Sequence, residues 1–307
     1  MPPWAVAGAA VSPWLWFVGR DLDGRLDAVA LGLPVLVGAV VAALASAALV
    51  TRRLPLALAA LSWLVVGVIA VVGPWRPIPG GSPAVGLRIV GANVLADRSG
   101  GRVVDDILDE RPDLVVIAEL GDLVDARLRD AYPSAAVSPI LPGQFVGDVG
   151  VYSRYPMDAG PLPGGLADQH GMRVVVDGPA GELVVYAVHL AKPAFRPTAP
   201  VEVGFRSHRR LVDRLRAAVR AEELPTVVVG DLNLVDRSSG YRALAGDLDD
   251  AMRAGWVGPT SHRFWTSPLL ARVDHVFVPE SWCAEDARTF SLTASDHRGV
   301  ATTVGPC

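Results

Sequence analysis

Residues 226–233 read TVVVGDLN, three consecutive valines running into Gly230, Asp231, Leu232 and Asn233. A short apolar run closed by glycine and polar residues is the pattern of a strand that ends in a turn. In an α/β domain, such strand ends are where side chains converge on a site. Taken alone, Asp231-Leu232-Asn233 also fits a tight turn without chemistry, because Asp and Asn are both turn residues. The two readings part on whether other strands end in the same way.

Working outward, short apolar runs bounded by polar turns predict strands at 87–94, 114–119, 149–153, 172–176, 183–189, 226–230, 272–278, 287–292 and 299–304. Their ends carry Asn93 after LRIVGA, Glu119 after DLVVIA, His189 after ELVVYAV, Asp274 after ARV, and the pair Asp296-His297 in TASDHRGV. Helical periodicity appears at 101–111, with Val103, Ile107 and Leu108 on one face. It recurs at 205–223, with Leu211, Leu215, Ala218 and Val219 on one face and arginines elsewhere. Strand, helix and strand recur in both halves, which predicts a mixed α/β domain of packed layers.

Each polar strand end has a structural explanation when taken singly: a cap, a surface charge or a hydrogen-bonded core histidine. As a set they offer more. Carboxylates, carboxamides and imidazoles together supply hard oxygen ligands for a divalent cation, an Asp able to orient a His, and donors for a phosphate. His275, beside Asp274 on a strand, should point to the opposite face and reads as structural. His170, His208 and His262 have no motif around them.

The rest of the chain has a different composition. Mean hydropathy is +0.35 over 307 residues, high for a soluble domain. The excess lies in residues 1–75, which hold seven of the 60 charged residues: Arg20, Asp21, Asp23, Arg25, Asp27, Arg52 and Arg53. Residues 28–51 and 54–75 are free of charge, each long enough to cross about 30 Å of hydrocarbon as a helix. Residues 1–19, with Pro2, Pro3, Pro13 and three Trp, read equally as a third span or as an interfacial segment. No basic region precedes Arg20, which argues against a cleaved signal peptide. Arg52 and Arg53, with no acidic neighbour, place 51–53 in the cytoplasm and the following domain outside the cell membrane. Residues 76–85 are rich in Pro and Gly and read as a short linker, leaving 86–307 as the soluble domain. Cys283 and Cys307 admit one pairing, for which the sequence supplies no distance. From residue 76 onward there are 24 basic and 29 acidic residues, so no global basic field recommends nucleic acid.

In order and local wording, 86–307 resembles the endonuclease/exonuclease/phosphatase superfamily, whose members share a four-layer α/β/β/α sandwich. The resemblance is carried by GDLN (230–233), SDH (295–297), Asn93, the Glu119 motif, VYSRYP (151–156), VHL (188–190) and VDHVFV (273–278). It departs in two places: Ala118 precedes Glu119 where many members have Gln, and Leu232 replaces Phe. The resemblance implies metal-assisted in-line attack of water on phosphorus. Glu119, with Asn93 and Asp296, would hold Mg²⁺ or Mn²⁺. Asp231 would position or deprotonate the water, and Asn233 would hydrogen-bond the phosphate or that water. His297, oriented by Asp274, and His189 would donate to phosphate oxygens or move protons. Arg154 reads equally as a substrate phosphate contact and as a structural residue.

The same resemblance implies a phosphorylated substrate without naming it, because the fold hosts many. Near-minimal domain length, an acidic balance and a tether of about ten residues, at most roughly 35 Å when extended, favour a lipid-borne phosphate at the bilayer. Hydrophobic helices before an outward-facing domain are similar to actinobacterial membrane phosphatases associated with teicoplanin and vancomycin resistance. Undecaprenyl pyrophosphate is the substrate that likeness implies. An extracytoplasmic nuclease and an inactive membrane-held binding module are the alternatives.

Overall fold

The structure is a computed structural model and describes residues 2–78, 80–139, 148–198, 202–255, 257–261 and 270–307. His262 lies outside the described residues. Three helices come first: α1 (Pro3–Gly19), α2 (Asp27–Thr51) and α3 (Leu54–Val72). The first part of the domain comprises β1 (Leu87–Asn93), α4 (Val103–Asp109), β2 (Leu114–Ala118), α5 (Asp122–Ala131), β3 (Ser134–Val137) and β4 (Val149–Ser153). Next come β5 (Met157–Pro161), β6 (His170–Gly178), β7 (Gly181–His189), β8 (Lys192–Pro193), β9 (Glu202–Val203) and α6 (Phe205–Arg220). The chain continues through β10 (Thr226–Asp231), α7 (Ser239–Leu244), β11 (Asp249–Asp250), β12 (Asp274–Val278), β13 (Trp282–Ser291) and β14 (Arg298–Pro306).

Two six-stranded sheets result, in the orders β13-β14-β1-β2-β4-β3 and β11-β12-β10-β7-β6-β5. Side-chain alternation explains why they stack. In β7, Leu183, Val185 and Ala187 face the other sheet, while Val184, Tyr186 and Val188 face α6 and its neighbours. In β10, Val227 and Val229 point inward and Val228 outward. Strands buried on both faces need no polar alternation, which is why TVVVG is continuously apolar. On the other sheet Val90, Val115 and Ile117 pack under Val103, Ile107, Val124 and Leu128 of α4 and α5. The layers are therefore α/β/β/α. The expected strands and both expected helices are present, while β3, β5 and α5, α7 had no sequence signal strong enough to announce them.

Cys283 and Cys307 form a disulfide, with Cα atoms 4.9 Å apart. Two residues of the expected linker are bonded to the sandwich: the Ile78 N–H donates to the Arg253 carbonyl and the Ala84 N–H to the Pro306 carbonyl, both at 2.8 Å.

Segments Gly24–Thr51 and Leu54–Trp75 are long and apolar enough to cross a membrane. Only 22% and 39% of their most apolar stretches are buried, unlike helices in the core of a soluble domain. α1 lies along α3, with Trp63 Nε1 donating to the Ala9 carbonyl at 2.8 Å and Trp14 Nε1 to Ser62 Oγ at 2.9 Å.

One end of this bundle is bonded to the sandwich. Arg242 pairs with Asp21 at 2.6 Å and Arg206 with Asp23 at 2.5 Å. The buried Asp27 accepts from the Ser239 N–H at 2.6 Å and from its hydroxyl at 2.8 Å. Trp75 Nε1 donates to Asp236 Oδ2 at 2.7 Å. Pro34 has no N–H, so the Ala30 carbonyl four residues earlier loses its helical donor. The buried guanidinium of Arg237 supplies one instead, its Nε donating to the Ala30 carbonyl at 2.5 Å. Arg237 also donates to the carbonyls of Leu31 at 3.1 Å and Leu270 at 2.9 Å.

Candidate active site

Strand register assembles the site. β1 and β2 run parallel, pairing Asn93 with Ala118, so Glu119 emerges next to Asn93. β7 and β10 also run parallel, pairing His189 with Asp231, and antiparallel β12 pairs Asp274 with Asp231 on the other side. Two glycines let these backbones close around the end of β7. A Cβ on Gly230 (φ +141°) would meet the Val188 carbonyl oxygen at 2.0 Å, and one on Gly171 (φ +148°) the Ala187 carbonyl oxygen at 2.4 Å. Glycine alone tolerates both the conformation and the approach. Glu119 and Asn233 leave their strands in the left-handed region, at φ 51° and 48°. Such conformations in non-glycine residues are costly and concentrate at functional sites.

The side chains converge from both sheets. Asn93 Nδ2 donates to Glu119 Oε1 at 3.0 Å and to Asp231 Oδ2 at 3.1 Å, joining a carboxylate of each sheet. Its Oδ1 accepts from the Leu95 N–H at 3.2 Å, so Asn93 presents N–H groups to these carboxylates and holds them together. Asp231 Oδ1 accepts from the Asn233 N–H at 2.9 Å, and Asn233 Nδ2 is held by the Leu190 carbonyl at 3.0 Å. His297 Nδ1 lies 2.9 Å from Asp274 Oδ2, and its Nε2 lies 3.9 Å from Asp231 Oδ2. His189 Nε2 approaches the same oxygen at 3.8 Å, with Nδ1 2.5 Å from Asp148 Oδ2. Two imidazoles, each backed by a carboxylate, thus flank Asp231.

Charge follows from that geometry. Burial disfavours the imidazolium of His297, but Asp274, Asp231 and Asp296 outweigh it and raise its pKa to about 10. His189 is likewise opposed by burial and lifted to about 9, chiefly by Asp148. Burial, then the charge of Asp274, push Asp231 up. Asp231, Asp274 and His297 bring ligand atoms within 4.8 Å of one another, a spacing that could hold a metal ion. Glu119 and Asp296 line the same cavity of about 570 Å³. The donor set is mainly carboxylate oxygen, which fits a hard divalent cation.

The sequence matches the endonuclease/exonuclease/phosphatase family over residues 90–297. The chain belongs to this family. Membership makes it a phosphoric ester hydrolase. Among solved structures it is similar to an endonuclease/exonuclease/phosphatase from Beutenbergia cavernae, at 22% identity and TM-score 0.53, covering 72% of each chain. It also resembles an AP endonuclease from Archaeoglobus fulgidus, at 14% identity and TM-score 0.54, covering 70% of this chain and 98% of that one. Sphingomyelinase C from Streptomyces griseocarneus is similar at 16% identity and TM-score 0.51, covering 72% and 99%. Among curated proteins, none matches the sequence. At these identities the structural likenesses carry the fold.

Within this family fold, Asn93, Glu119, His189, Asp231, Asn233, Asp274, Asp296 and His297 are brought to one edge of the sandwich. Arg154 is not. It follows Ser153, which pairs with Leu114 at the opposite end of β2, and its Nε donates to the Pro112 carbonyl at 3.0 Å. The lysine lining the cavity is instead Lys192, the only lysine of the chain. His275 is structural as expected: fully buried, it donates from Nε2 to the Leu234 carbonyl at 2.7 Å. Burial lowers it, and His208 on the Leu232 carbonyl, to about 4.

Asp148 and His170 carry no sequence motif, yet both line the site. Each stands at the beginning of a strand, and β4 and β6 run antiparallel to β2 and β7, so their first residues reach the site edge. His170 pairs in register with His189, and its Nδ1 lies 3.9 Å from Asp148 Oδ2. Asp274, expected at the end of a strand after ARV, likewise opens its strand, because β12 begins at Asp274 and runs antiparallel to β10.

Proposed function

We propose that this hydrolase is a membrane-anchored, divalent-metal-dependent phosphatase acting on a lipid-borne phosphate or pyrophosphate such as undecaprenyl pyrophosphate. The observation that carries the reading is Asp231, a buried carboxylate set between the carboxylates of Glu119 and Asp274 and two histidines. Its Oδ2 faces Nε2 of His189 at 3.8 Å and Nε2 of His297 at 3.9 Å. Glu119 and Asp296 are the residues we assign to holding Mg²⁺ or Mn²⁺, with Asn93 aligning Glu119. When bound there, such a cation would supply Lewis-acid charge for the phosphate oxygens. Asp231 then orients the attacking water and accepts its proton. His297, held by Asp274, and His189, held by Asp148, donate to the oxygens on which charge grows. Asn233, fixed by Leu190, bonds the phosphate or the water, and Lys192 offers a cation for a second phosphate.

The membrane part of the proposal is supported by the two long apolar helices and by the exposure of Leu49, Val50, Leu54, Leu58 and Leu61 on them. Arg52 and Arg53 lie at the end of the helical hairpin away from the sandwich, in line with a cytoplasmic loop. The disulfide is in keeping with an oxidising, extracytoplasmic compartment.

A phosphate-release panel tests the reading: polyprenyl pyrophosphate, phosphoinositide, sphingomyelin and DNA, with the full chain and Asp231→Ala, with and without chelator. Release from polyprenyl pyrophosphate that needs Mg²⁺ or Mn²⁺ and Asp231 is the expected result. Cleavage of DNA without release from lipid substrates would replace it with a nuclease.

A further inference from the structure

The lining of the 570 Å³ cavity is mixed: besides the carboxylates, histidines, Asn233, Lys192 and Ser261, it includes Val235, Ala271 and Val273 from the sandwich and Leu31 from α2. These sandwich residues form one apolar cluster with Ala30, and Leu31 packs against it. A helix that served only as a tether would have no reason to line the reaction cavity. Leu31 is instead clamped there: Asp27, one turn before it, is buried on Ser239, and Arg237 holds the carbonyls of Ala30 and Leu31.

The position of Leu31 along α2 specifies what the wall meets. It lies one turn in from the sandwich end, and the remaining 20 residues of the helix, to Thr51, rise about 30 Å, the thickness of a hydrocarbon core. Leu31 therefore sits where headgroups give way to hydrocarbon. Val35, one turn further and on the same face, is 43% exposed, so the apolar wall continues from the cavity onto the uncovered side of the helix. Phosphate chemistry beside an apolar cluster that leads onto the exposed face of α2 matches an amphiphile whose chain begins at the phosphate.

Resting on the lipid-phosphate reading above, we infer that α2 is part of the substrate site. Leu31, with Val235 and Val273, binds the first carbons of the lipid chain and sets the preference for long-chain over short-chain phosphates. Arg237 is the positioning residue that holds Leu31 in the wall.

The test uses the full chain in lipid nanodiscs and compares a long-chain polyprenyl pyrophosphate with its five-carbon counterpart. Leu31→Asn should lower the long-to-short ratio of kcat/KM by about tenfold, the scale of losing an apolar contact in a binding pocket. A second readout does not depend on turnover. In the Asp231→Ala background, a photoreactive residue at position 31 should capture labelled long-chain pyrophosphate, with excess unlabelled compound competing. The same group at Leu49, exposed at the far end of α2, should show no competed capture. An unchanged ratio in Leu31→Asn, equal loss on both substrates, or uncompeted capture at position 31 overturns the inference. Failure of the wild type to hydrolyse any polyprenyl pyrophosphate is a separate result, and sinks the substrate reading itself.

Discussion

Arg237 donates its Nε hydrogen to the carbonyl of Ala30, the carbonyl that Pro34 leaves without a partner inside α2. The gap in the helix and the buried guanidinium complete each other across 207 residues of sequence. Arg237→Leu should therefore destabilise the full chain in detergent by about 3 kcal/mol, because buried carbonyls lose a charged donor. Pro34→Ala restores the amide and should reduce that cost by about 1 kcal/mol in a double-mutant cycle. Additivity of the two changes in thermal unfolding would separate them.

Asp148 holds His189 protonated. A histidine lifted to about 9 contributes stability that is complete below its ordinary value of 6.5 and is lost as pH rises through 9. In chelator, wild type should exceed Asp148→Asn in stability by about 2 kcal/mol at pH 6, and the gap should close by pH 10. Thermal midpoints across that window decide it, and a constant gap would remove His189 as the cause.

Gly230 is the backbone hinge of the GDLN turn. Gly230→Ala places a methyl 2.0 Å from the Val188 carbonyl oxygen at a φ of +141°, and should cost about 3 kcal/mol or more. Gly160→Ala in β5, with nothing within 4 Å of the added carbon, should change the thermal midpoint little.

Asp231→Ala and His297→Ala should each lower phosphate release by about a thousandfold or more. Both side chains are held by polar contacts at the sheet edge, away from the inter-sheet core. Circular dichroism should accordingly remain that of the wild type. Retained activity in both variants would refute their assignment.

The sequence by itself determined the layered fold and most of the polar residues that meet at its edge. Short valine-rich runs, closed by GDLN and SDH, announce strands with polar side chains at their ends, and charge-free runs of helical length announce the bundle. This information is local: periodicity of two or 3.6 residues, and turn chemistry within a few positions. Tertiary structure decided what local patterns cannot encode. Strand direction brought Asp148 and His170 to the site and carried Arg154 to the opposite end of β2. The register of β10 against β7 and β12 set Asp231 between His189 and Asp274. The long apolar helices were legible as helices, but only packing made Leu31 part of the cavity lining. A proline's missing N–H and a distant arginine meet only once the chain has folded.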